Sequence, residues 1–248
     1  MVDYKDCLAV VVSYNNGKNL KATLDSTPRD FPIDLMIVDD GTSDDSFAYI
    51  QDYRIPVLRH EKNLGIGISI RDAVNYAREH GYKIIAFIPG NNKNTIAEVP
   101  RLVDPIISGK ADYVQGSRYL PGSRRDHTPL FRLVMVKAIA IFLSVITFRK
   151  ITDSMEGFRA IKLEILDDKD IDIDQEWLDR YALEIYLFFK VTKGRKYKYM
   201  EVPISKIYPK VKKSIINKTG AEYSKIRPFT DWWDILKPIF LLWFGLRK

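Results

Sequence analysis

Short apolar runs alternate with segments of helical periodicity through the first half of this 248-residue chain. Apolar runs bounded by turn residues are typical of strands buried in a parallel sheet. Strands that alternate with helices indicate a sheet covered by helices on both faces. Strands are predicted at 7–14, 35–38, 55–59, 84–88, 111–115 and 197–204. The sequence therefore predicts an α/β fold with a mostly parallel sheet.

The helical periodicity predicts where the chain crosses between these strands. Helices are predicted at 19–24, 44–52, 98–107, 131–148 and 181–193. A further helix is predicted to begin at 63–67 and to end at Gly81. The segment 181–193 is expected to be amphipathic. The second half of 131–148 is apolar nearly all round, which favours a helix that is fully buried or lies against lipid or a partner. Segments 117–129 and 167–174 are predicted to be polar loops.

Two adjacent carboxylates, Asp39 and Asp40, end the apolar run 35–38. In open α/β sheets ligands bind beyond the carboxyl ends of the strands, so these side chains are candidates for gripping a polar ligand. The alternative is that they cap the following helix, although one Asp usually suffices for that role.

The whole chain has a formal net charge of +7, and its basic residues concentrate in the last part. Between Lys193 and Arg227, eleven Lys and Arg face two acids, Glu201 and Glu222. Such a segment indicates an anionic partner, namely nucleic acid, a phosphorylated substrate or an acidic membrane surface, or else merely a solvated surface. Because no nucleic-acid-binding motif accompanies the charge, a nucleic-acid partner is not expected.

Cysteine usage and hydropathy indicate the compartment in which the protein is expected and how its segments would contact a membrane. A single cysteine, Cys7, excludes an intramolecular disulfide and favours a reducing compartment, so we expect a cytoplasmic protein. The N-terminus lacks a signal-peptide pattern, and the uncharged apolar run 138–148 falls short of the roughly 18 residues that a membrane-spanning helix needs. The segment 232–248 has three tryptophans, an apolar run and a basic end, which fits an interfacial membrane anchor or a helix packed on the protein itself.

Six motifs in the same order resemble those of the family 2 glycosyltransferases, most closely the dolichol- or polyprenyl-phosphate mannose and glucose synthases. They are Tyr14-Asn15-Asn16, Val38-Asp39-Asp40-Gly41, Asn63-Leu64-Gly65-Ile66-Gly67, Gly116-Ser117-Arg118, the segment 152–159, and Glu201-Val202-Pro203 followed by Ser224-Lys225. The resemblance implies a GT-A fold, a nucleotide-diphosphate sugar donor, a polyprenyl-phosphate acceptor and inversion at the sugar. It also implies one glycosyltransferase domain at 1–227, with a nucleotide-sugar half at about 1–116 and an acceptor half at about 117–227. Residues 228–248 then form an amphipathic tail on the cytoplasmic face of a membrane.

The resemblance implies a set of site residues. We expect Tyr14 to stack on the nucleobase, Asp39 and Asp40 to accept hydrogen bonds from base and ribose, and Asp153 to orient the acceptor or act as base. The expected substrate-binding residues are Ser13, Tyr14, Asn16, Asp39, Asp40, Gly65, Asn91, Arg124, Arg125, Lys213 and Lys225, and the expected catalytic residues are Lys93, Asp153 and Arg118. Lys210, Lys212, Lys213 and Lys218 suit a flap over phosphate groups, and His127 is a candidate phosphate contact.

One motif departs from the family pattern. The Asp-x-Asp metal motif should occupy Pro89-Gly90-Asn91, where both carboxylates are missing. Because Mg²⁺ and Mn²⁺ prefer carboxylate oxygens, metal affinity should fall, with Asn91 left as a weak ligand. Lys93, helped by Arg118 and by Arg124 or Arg125, is the candidate replacement charge.

The replaced motif leaves several alternatives open. The first is an enzyme with little or no metal dependence, the second a non-catalytic relative that binds a nucleotide sugar or lipid, and the third a weakened metal site. The acceptor could also be a glycan or lipid hydroxyl rather than a phosphate. A homo-oligomer is possible.

Overall fold

The computed structural model describes residues 2–126, 128, 130–208 and 230–247. Seven strands form the main sheet in the order β3-β2-β1-β4-β7-β5-β8. They are β1 (Cys7–Ser13), β2 (Asp34–Asp39), β3 (Val57–Arg59), β4 (Ile84–Pro89), β5 (Tyr113–Ser117), β7 (Arg159–Lys162) and β8 (Tyr199–Pro203). The six strands predicted from the apolar runs are confirmed, with ends shifted by one or two residues.

The strand β7 was not predicted. It pairs antiparallel with β4 and β5, whereas the other pairings in the sheet are parallel. Its four residues continue a polar loop, so no long apolar run marks it. Because β7 runs the opposite way, the segment 152–158 that precedes it lies at the carboxyl end of the parallel strands.

The segment 117–129, predicted to be a loop, contains the strand β6 (Arg124–Asp126). It pairs in parallel with β9 (Ser205–Ile207) and forms a separate two-stranded sheet. Three polar residues in a row carry no periodic signal, so this pairing depends on tertiary contacts rather than on local pattern.

Six α-helices in the described ranges cover the sheet: α1 (Lys18–Leu24), α2 (Ile66–Glu79), α3 (Val99–Ile107), α4 (Leu130–Thr147), α5 (Ala182–Thr192) and α6 (Thr230–Trp243). The helix predicted at 44–52 is a short 3₁₀ helix, Asp45–Tyr49, that the Asp44 side chain caps by accepting the Ser46 N–H. In α3, Pro100 lies in the first turn, where its missing N–H costs no hydrogen bond.

The core consists of two apolar layers, one on each face of the sheet. Helices α2, α4, α5 and α6 pack on one face, and α1 and α3 pack on the other. The prediction that 181–193 is amphipathic is wrong, because nine of the eleven residues of α5 are buried. This helix lies between the sheet and the other helices and has no solvated face of its own.

The helix α4 is half buried and half exposed along its apolar length. Val136, Ile139 and Leu143 pack in the core, whereas Ile141 and Val145 are about two-thirds exposed, at 65% and 64%. None of the helices in the described residues is both long and apolar enough to cross a membrane.

Candidate active site

Side chains expected to act on a ligand meet at the carboxyl edge of the sheet. Ser13 at the end of β1 lies in register with Asp39 at the end of β2, and Pro89 at the end of β4 pairs with Val12. The same edge receives Ser117 from β5 and the segment 152–158 that leads into β7. The strand order therefore brings five of the predicted site segments together.

Asp39 is a buried carboxylate at this edge. Both of its oxygens accept the Thr42 N–H at 3.2 Å, and Arg59 Nε lies 3.2 Å from Oδ2. Burial raises the pKa of Asp39, and the bonds from Thr42 and the Arg59 charge only partly oppose this rise. Since Thr42 and Arg59 do not occupy all of its lone pairs, this fully buried carboxylate keeps some acceptor capacity.

Asp40, its neighbour, has its carboxylate turned into the protein. Its oxygens accept the backbone N–H groups of Leu64 and Gly65 and the side-chain amide of Asn63, and His60 Nδ1 lies 3.1 Å away. Asp40 thereby fixes the turn that starts α2.

Gly65 serves the same turn. Its φ of 111° is in the region that favours glycine, and a Cβ there would lie 2.5 Å from the Asp179 carbonyl oxygen. The close approach of this carbonyl and the bond from Gly65 N–H to Asp40 make Gly65 a packing residue.

Tyr14 and Asn16 flank Asn15, a residue of the same motif that was not among the expected site residues. Tyr14 is 36% exposed, and Asn16 Nδ2 donates to Ser13 Oγ at 3.1 Å. Between them Asn15 Oδ1 accepts the N–H groups of Ser43 and Asp44, which ties the turn after β1 to the turn after β2. Asn15 adopts a φ of 47°, which Asn tolerates better than most residues.

The loop after β4 carries the residues expected to replace the acidic motif. Gly90 N–H donates to the Val12 carbonyl at 2.8 Å, which holds the loop against β1. Asn91 Oδ1 is buried and has no hydrogen-bond partner within the described part of the chain. The Lys93 ammonium lies 4.8 Å from the centre of the Tyr208 ring, in a cation–π contact.

The strand β9 clamps this loop. Ile207 N–H donates to the Lys93 carbonyl at 2.9 Å, and Asn94 Nδ2 donates to the Ser205 carbonyl at 3.3 Å. Ser205 also donates from its N–H and its hydroxyl to Glu98. The Lys93 carbonyl and the side chains of Asn94 and Glu98 are therefore held by contacts to a segment more than a hundred residues away.

Arg118 and Asp153 form a buried, bidentate ion pair. Arg118 Nε and Nη2 donate to the two Asp153 oxygens at 2.6 and 2.7 Å, and the Arg118 backbone N–H donates to Oδ2. Arg118 is 3% exposed and Asp153 is fully buried. Burial by itself lowers the pKa of Arg118, but the Asp153 and Glu156 carboxylates outweigh it and hold that pKa well above its ordinary value.

A second buried pair, Glu156 with Lys206, continues from the first. Lys206 Nζ donates to Glu156 Oε1 at 2.7 Å and to Asn94 Oδ1 at 2.8 Å, and Arg118 Nε lies 3.4 Å from Glu156 Oε2. Sequence reasoning missed this pair. Glu156 lies in a recognised motif and Lys206 in a recognised basic segment, but nothing local links residues 50 positions apart.

Glu201 holds the turn that carries Asp153. Its carboxylate accepts the N–H groups of Thr152 and Asp153 and the hydroxyls of Thr152 and Tyr199. Burial and the charge of Glu201 raise the pKa of Tyr199 far above its ordinary value, so its hydroxyl stays a donor.

A family model described as "Glycosyl transferase family 2" matches residues 8–169, well over half of the chain. The chain belongs to this family. The prediction that it is a glycosyltransferase is confirmed, and the mostly parallel sheet with helices on both faces is the GT-A architecture that was expected.

Several relatives match most of this glycosyltransferase. Polyprenol monophosphomannose synthase of Mycolicibacterium smegmatis is 26% identical over 205 residues, which cover 80% of this chain and 76% of the relative. Undecaprenyl-phosphate mannosyltransferase of Micrococcus luteus is 25% identical over 80% of this chain and 82% of the relative. Glucosyl-3-phosphoglycerate synthase from Mycobacterium tuberculosis, solved with uridine diphosphate, has the same fold, with a TM-score of 0.59 and 18% identity over 94% of this chain and 79% of that chain.

The residues at the position of the family's metal motif do not fit a divalent cation. Pro89 and Gly90 offer no side-chain ligand, and Asn91 offers one neutral oxygen. Within the residues that the structure describes, no group of three or more His, Cys, Asp or Glu side chains could hold a metal ion. How far transfer by this glycosyltransferase depends on metal stays a prediction.

The remaining predicted residues lie on the strand β6 or outside the described residues. Arg124 is exposed and lies 3.4 Å from Asp126, while the Arg125 guanidinium lies 5.0 Å from the Tyr119 ring centre. His127, Lys210, Lys212, Lys213, Lys218 and Lys225 lie outside the described residues.

Proposed function

We propose that this glycosyltransferase moves a sugar from a nucleotide-diphosphate sugar to a polyprenyl phosphate, with inversion, at the cytoplasmic face of a membrane. Two relatives whose names state a polyprenyl-phosphate product or acceptor cover most of the chain and support this acceptor. In this proposal the donor is bound by residues from about 1 to 116 and the acceptor by residues from about 117 to 227. Residues 228–248 contact the membrane surface.

The engagement of Asp153 is the observation that carries the choice of acceptor. A hydroxyl acceptor must lose a proton as it attacks, so it needs a general base. Asp153 is the candidate base at this edge, but both of its oxygens already accept hydrogen bonds from Arg118. A phosphate monoester is already ionised near neutral pH and needs no base.

The reaction then balances without proton transfer at the acceptor. An oxygen of the acceptor phosphate forms a bond to the anomeric carbon while the bond from that carbon to the donor diphosphate breaks. Negative charge grows on the departing diphosphate, so catalysis requires cations held in place before the reaction starts.

Lys93 is the cation that we assign to the departing diphosphate. It follows the strand end at which Pro89 and Asn91 replace the family's carboxylates, and β9 holds its backbone. Asn91 Oδ1, which has no partner among the described residues, is available to accept a hydrogen bond from the donor. Neither residue repels a diphosphate as a carboxylate would.

A transfer assay with a short-chain polyprenyl phosphate, run across UDP-, GDP-, CMP- and dTDP-sugars, tests the proposal. We expect turnover that excess chelator reduces little, and a loss of at least 100-fold in kcat for Lys93→Ala with an unchanged melting temperature. Lys93→Arg should retain part of the rate, and Lys110→Ala, an exposed lysine at the opposite edge of the sheet, should behave as wild type.

Other outcomes would contradict specific parts of the proposal. Full activity of Lys93→Ala would remove Lys93 from the mechanism. Transfer to a sugar hydroxyl but not to the phosphate would overturn the acceptor. A chain that binds a nucleotide sugar yet transfers nothing, with or without Mg²⁺ or Mn²⁺, would be a non-catalytic relative.

A further inference from the structure

A basic cavity lies away from the candidate active site, beside the edge strand β8. It is open to solvent and has a volume of ≈ 500 Å³. Four cations line it, Arg149, Lys150, Arg195 and Lys198, together with aromatic rings that include Phe148 and Tyr197. Tyr199, at the start of β8, also lines it. The carboxyl edge of the sheet, which carries the candidate active site, lies at the other end of that strand, at Pro203.

Among the described residues, no carboxylate neutralises the positive charge of this cavity. None of the four cations has a carboxylate oxygen within 4.0 Å among the described residues. The acids of the neighbouring segments are engaged elsewhere, since Asp168 pairs with Lys196 and Asp112 accepts the Lys198 backbone N–H.

Backbone contacts hold the two guanidinium groups. Arg149 donates to the carbonyls of Thr192 and Tyr197 at 2.9 and 2.8 Å, and Arg195 donates to the Phe148 carbonyl at 2.9 Å. Burial, and then the nearby charge of Arg195, lower the pKa of Arg149. An anion between these groups would relieve their repulsion.

The backbone around the cavity is strained at two places. Phe148 and Arg195 have φ angles of 53° and 57°, in the left-handed region that non-glycine residues seldom adopt. Strain of this kind tends to persist at binding sites, where it aims side chains at a ligand. Here it directs the two turns that carry Arg149 and Arg195 toward the same cavity.

An exposed apolar face ends at the rim of the cavity. Ile141, Val145 and Phe148 form one stripe along and just beyond α4, and they are 65%, 64% and 78% exposed. The neighbouring α6 adds exposed Phe240 and Trp243, and the turn that follows it adds Phe244 and Leu246. The rings of Phe142 and Phe240 are 6.3 Å apart.

We propose that the cavity binds the phosphate of an anionic bilayer lipid while the stripe on α4 and the end of α6 enter the acyl region beneath it. The cations complement an anionic headgroup, and the adjoining apolar face complements the lipid tails, which a soluble phosphate lacks. This inference rests on the membrane-surface part of the proposed function, and it adds a lipid site separate from the site of sugar transfer.

Vesicle co-sedimentation of the full chain, without sugar donor, tests the site. Vesicles of phosphatidylcholine alone are compared with vesicles that also contain phosphatidylglycerol. Lys150→Gln/Arg195→Gln removes two cavity charges and keeps a polar side chain at both positions. The matched control, Arg29→Gln/Arg54→Gln, removes two exposed charges from distant loops.

We expect the cavity variant to bind anionic vesicles about 25-fold more weakly than wild type, since each cation near an anionic bilayer contributes about a factor of five. The control variant should change by less than about twofold, because its charges lie beyond the screening length from the bilayer. Ile141→Ser/Val145→Ser should weaken binding to both kinds of vesicle. Equal melting temperatures show that the variants are folded.

Three results would overturn the inference. The first is equal loss of binding in the cavity and control variants. The second is stabilisation by inorganic phosphate that depends on the cavity, without vesicle binding, which would make it a site for soluble phosphate. The third is a dimer that Ile141→Ser/Val145→Ser dissociates, without vesicle binding, which would make the face a contact between copies.

The transfer assay separates this inference from the proposed function. A chain that binds anionic vesicles but transfers no sugar refutes the proposed function and leaves the lipid site. A chain that transfers sugar to a short-chain acceptor but does not bind anionic vesicles refutes the lipid site and leaves the proposed function.

Discussion

The two halves of the carboxyl edge hold their charged groups in different ways. In the proposed donor half, Asp39 and Asp40 accept backbone N–H groups of nearby turns, and the cation paired with Asp39, Arg59, is exposed to solvent, which screens its charge. In the proposed acceptor half, Arg118 and Lys206 are buried and paired with Asp153 and Glu156 from other segments. Backbone donors orient a carboxylate without cancelling its charge, whereas an ion pair neutralises both partners.

The difference separates two tasks. A carboxylate that keeps its charge and some acceptor capacity can bind the hydroxyl and N–H groups of a nucleoside. An acceptor site for a phosphate needs no free carboxylate, and a free one would repel the incoming charge. The variants below test whether the two halves differ in this way.

The largest effect is expected for Arg118→Leu. Removing one partner of a buried ion pair leaves an uncompensated charge on Asp153, which costs about 3–5 kcal/mol of the free energy of unfolding. Urea denaturation measures it. Arg118→Leu/Asp153→Leu should recover most of this loss. If the double variant is as unstable as the single variant, the pair is not an independent neutralised unit.

Lys206→Met should have the next largest effect, a loss of about 2–3 kcal/mol, because Glu156 loses its ammonium partner and Asn94 loses a donor. Glu156→Gln/Lys206→Met should restore part of the stability. Since Lys206 also helps β9 hold the loop of Lys93, kcat should fall even in the restored variant. A restored variant with wild-type kcat would show that the clamp is not needed for catalysis.

Asp40→Ala tests the donor half. It leaves the N–H groups of Leu64 and Gly65 without their acceptor, so we expect a loss of about 2 kcal/mol, or a melting temperature lowered by about 4–8 °C. Asp39→Asn, which keeps an acceptor for Thr42, should leave the melting temperature within about 2 °C of wild type. Equal losses in the two variants would contradict the separate roles of these neighbours.

The features that could be predicted from the sequence are those that local patterns of residues determine. The strand ends that carry Asp39 and the loop of Lys93 follow from apolar runs and turn residues, and both lie at the expected edge. The antiparallel strand β7 and the pairs of Arg118 with Asp153 and Glu156 with Lys206 depend on contacts across 35 and 50 positions. No local periodicity encodes such contacts, so only the folded chain reveals that Asp153 is already engaged.

The smallest effect concerns pH and the Asp39 carboxylate. Because burial raises the pKa of Asp39, this group takes up a proton at a higher pH than an ordinary aspartate, whose pKa is about 3.9. The protonated form loses acceptor capacity, so the KM for the nucleotide sugar should rise as the pH falls toward the raised pKa. Asp39→Asn should have a KM about tenfold higher at neutral pH, and this KM should change little over the same acidic range.

Stability should follow the opposite sign. A raised carboxyl pKa in the folded state means that folding favours the neutral form, so Asp39 destabilises the protein most above that pKa and least below the pKa of the unfolded chain. The stability difference between wild type and Asp39→Asn should therefore shift in favour of wild type as the pH falls. The wild-type KM could instead stay flat across the acidic range while the stability shifts as expected. Asp39 would then titrate without contacting the donor, and donor binding would depend on other groups.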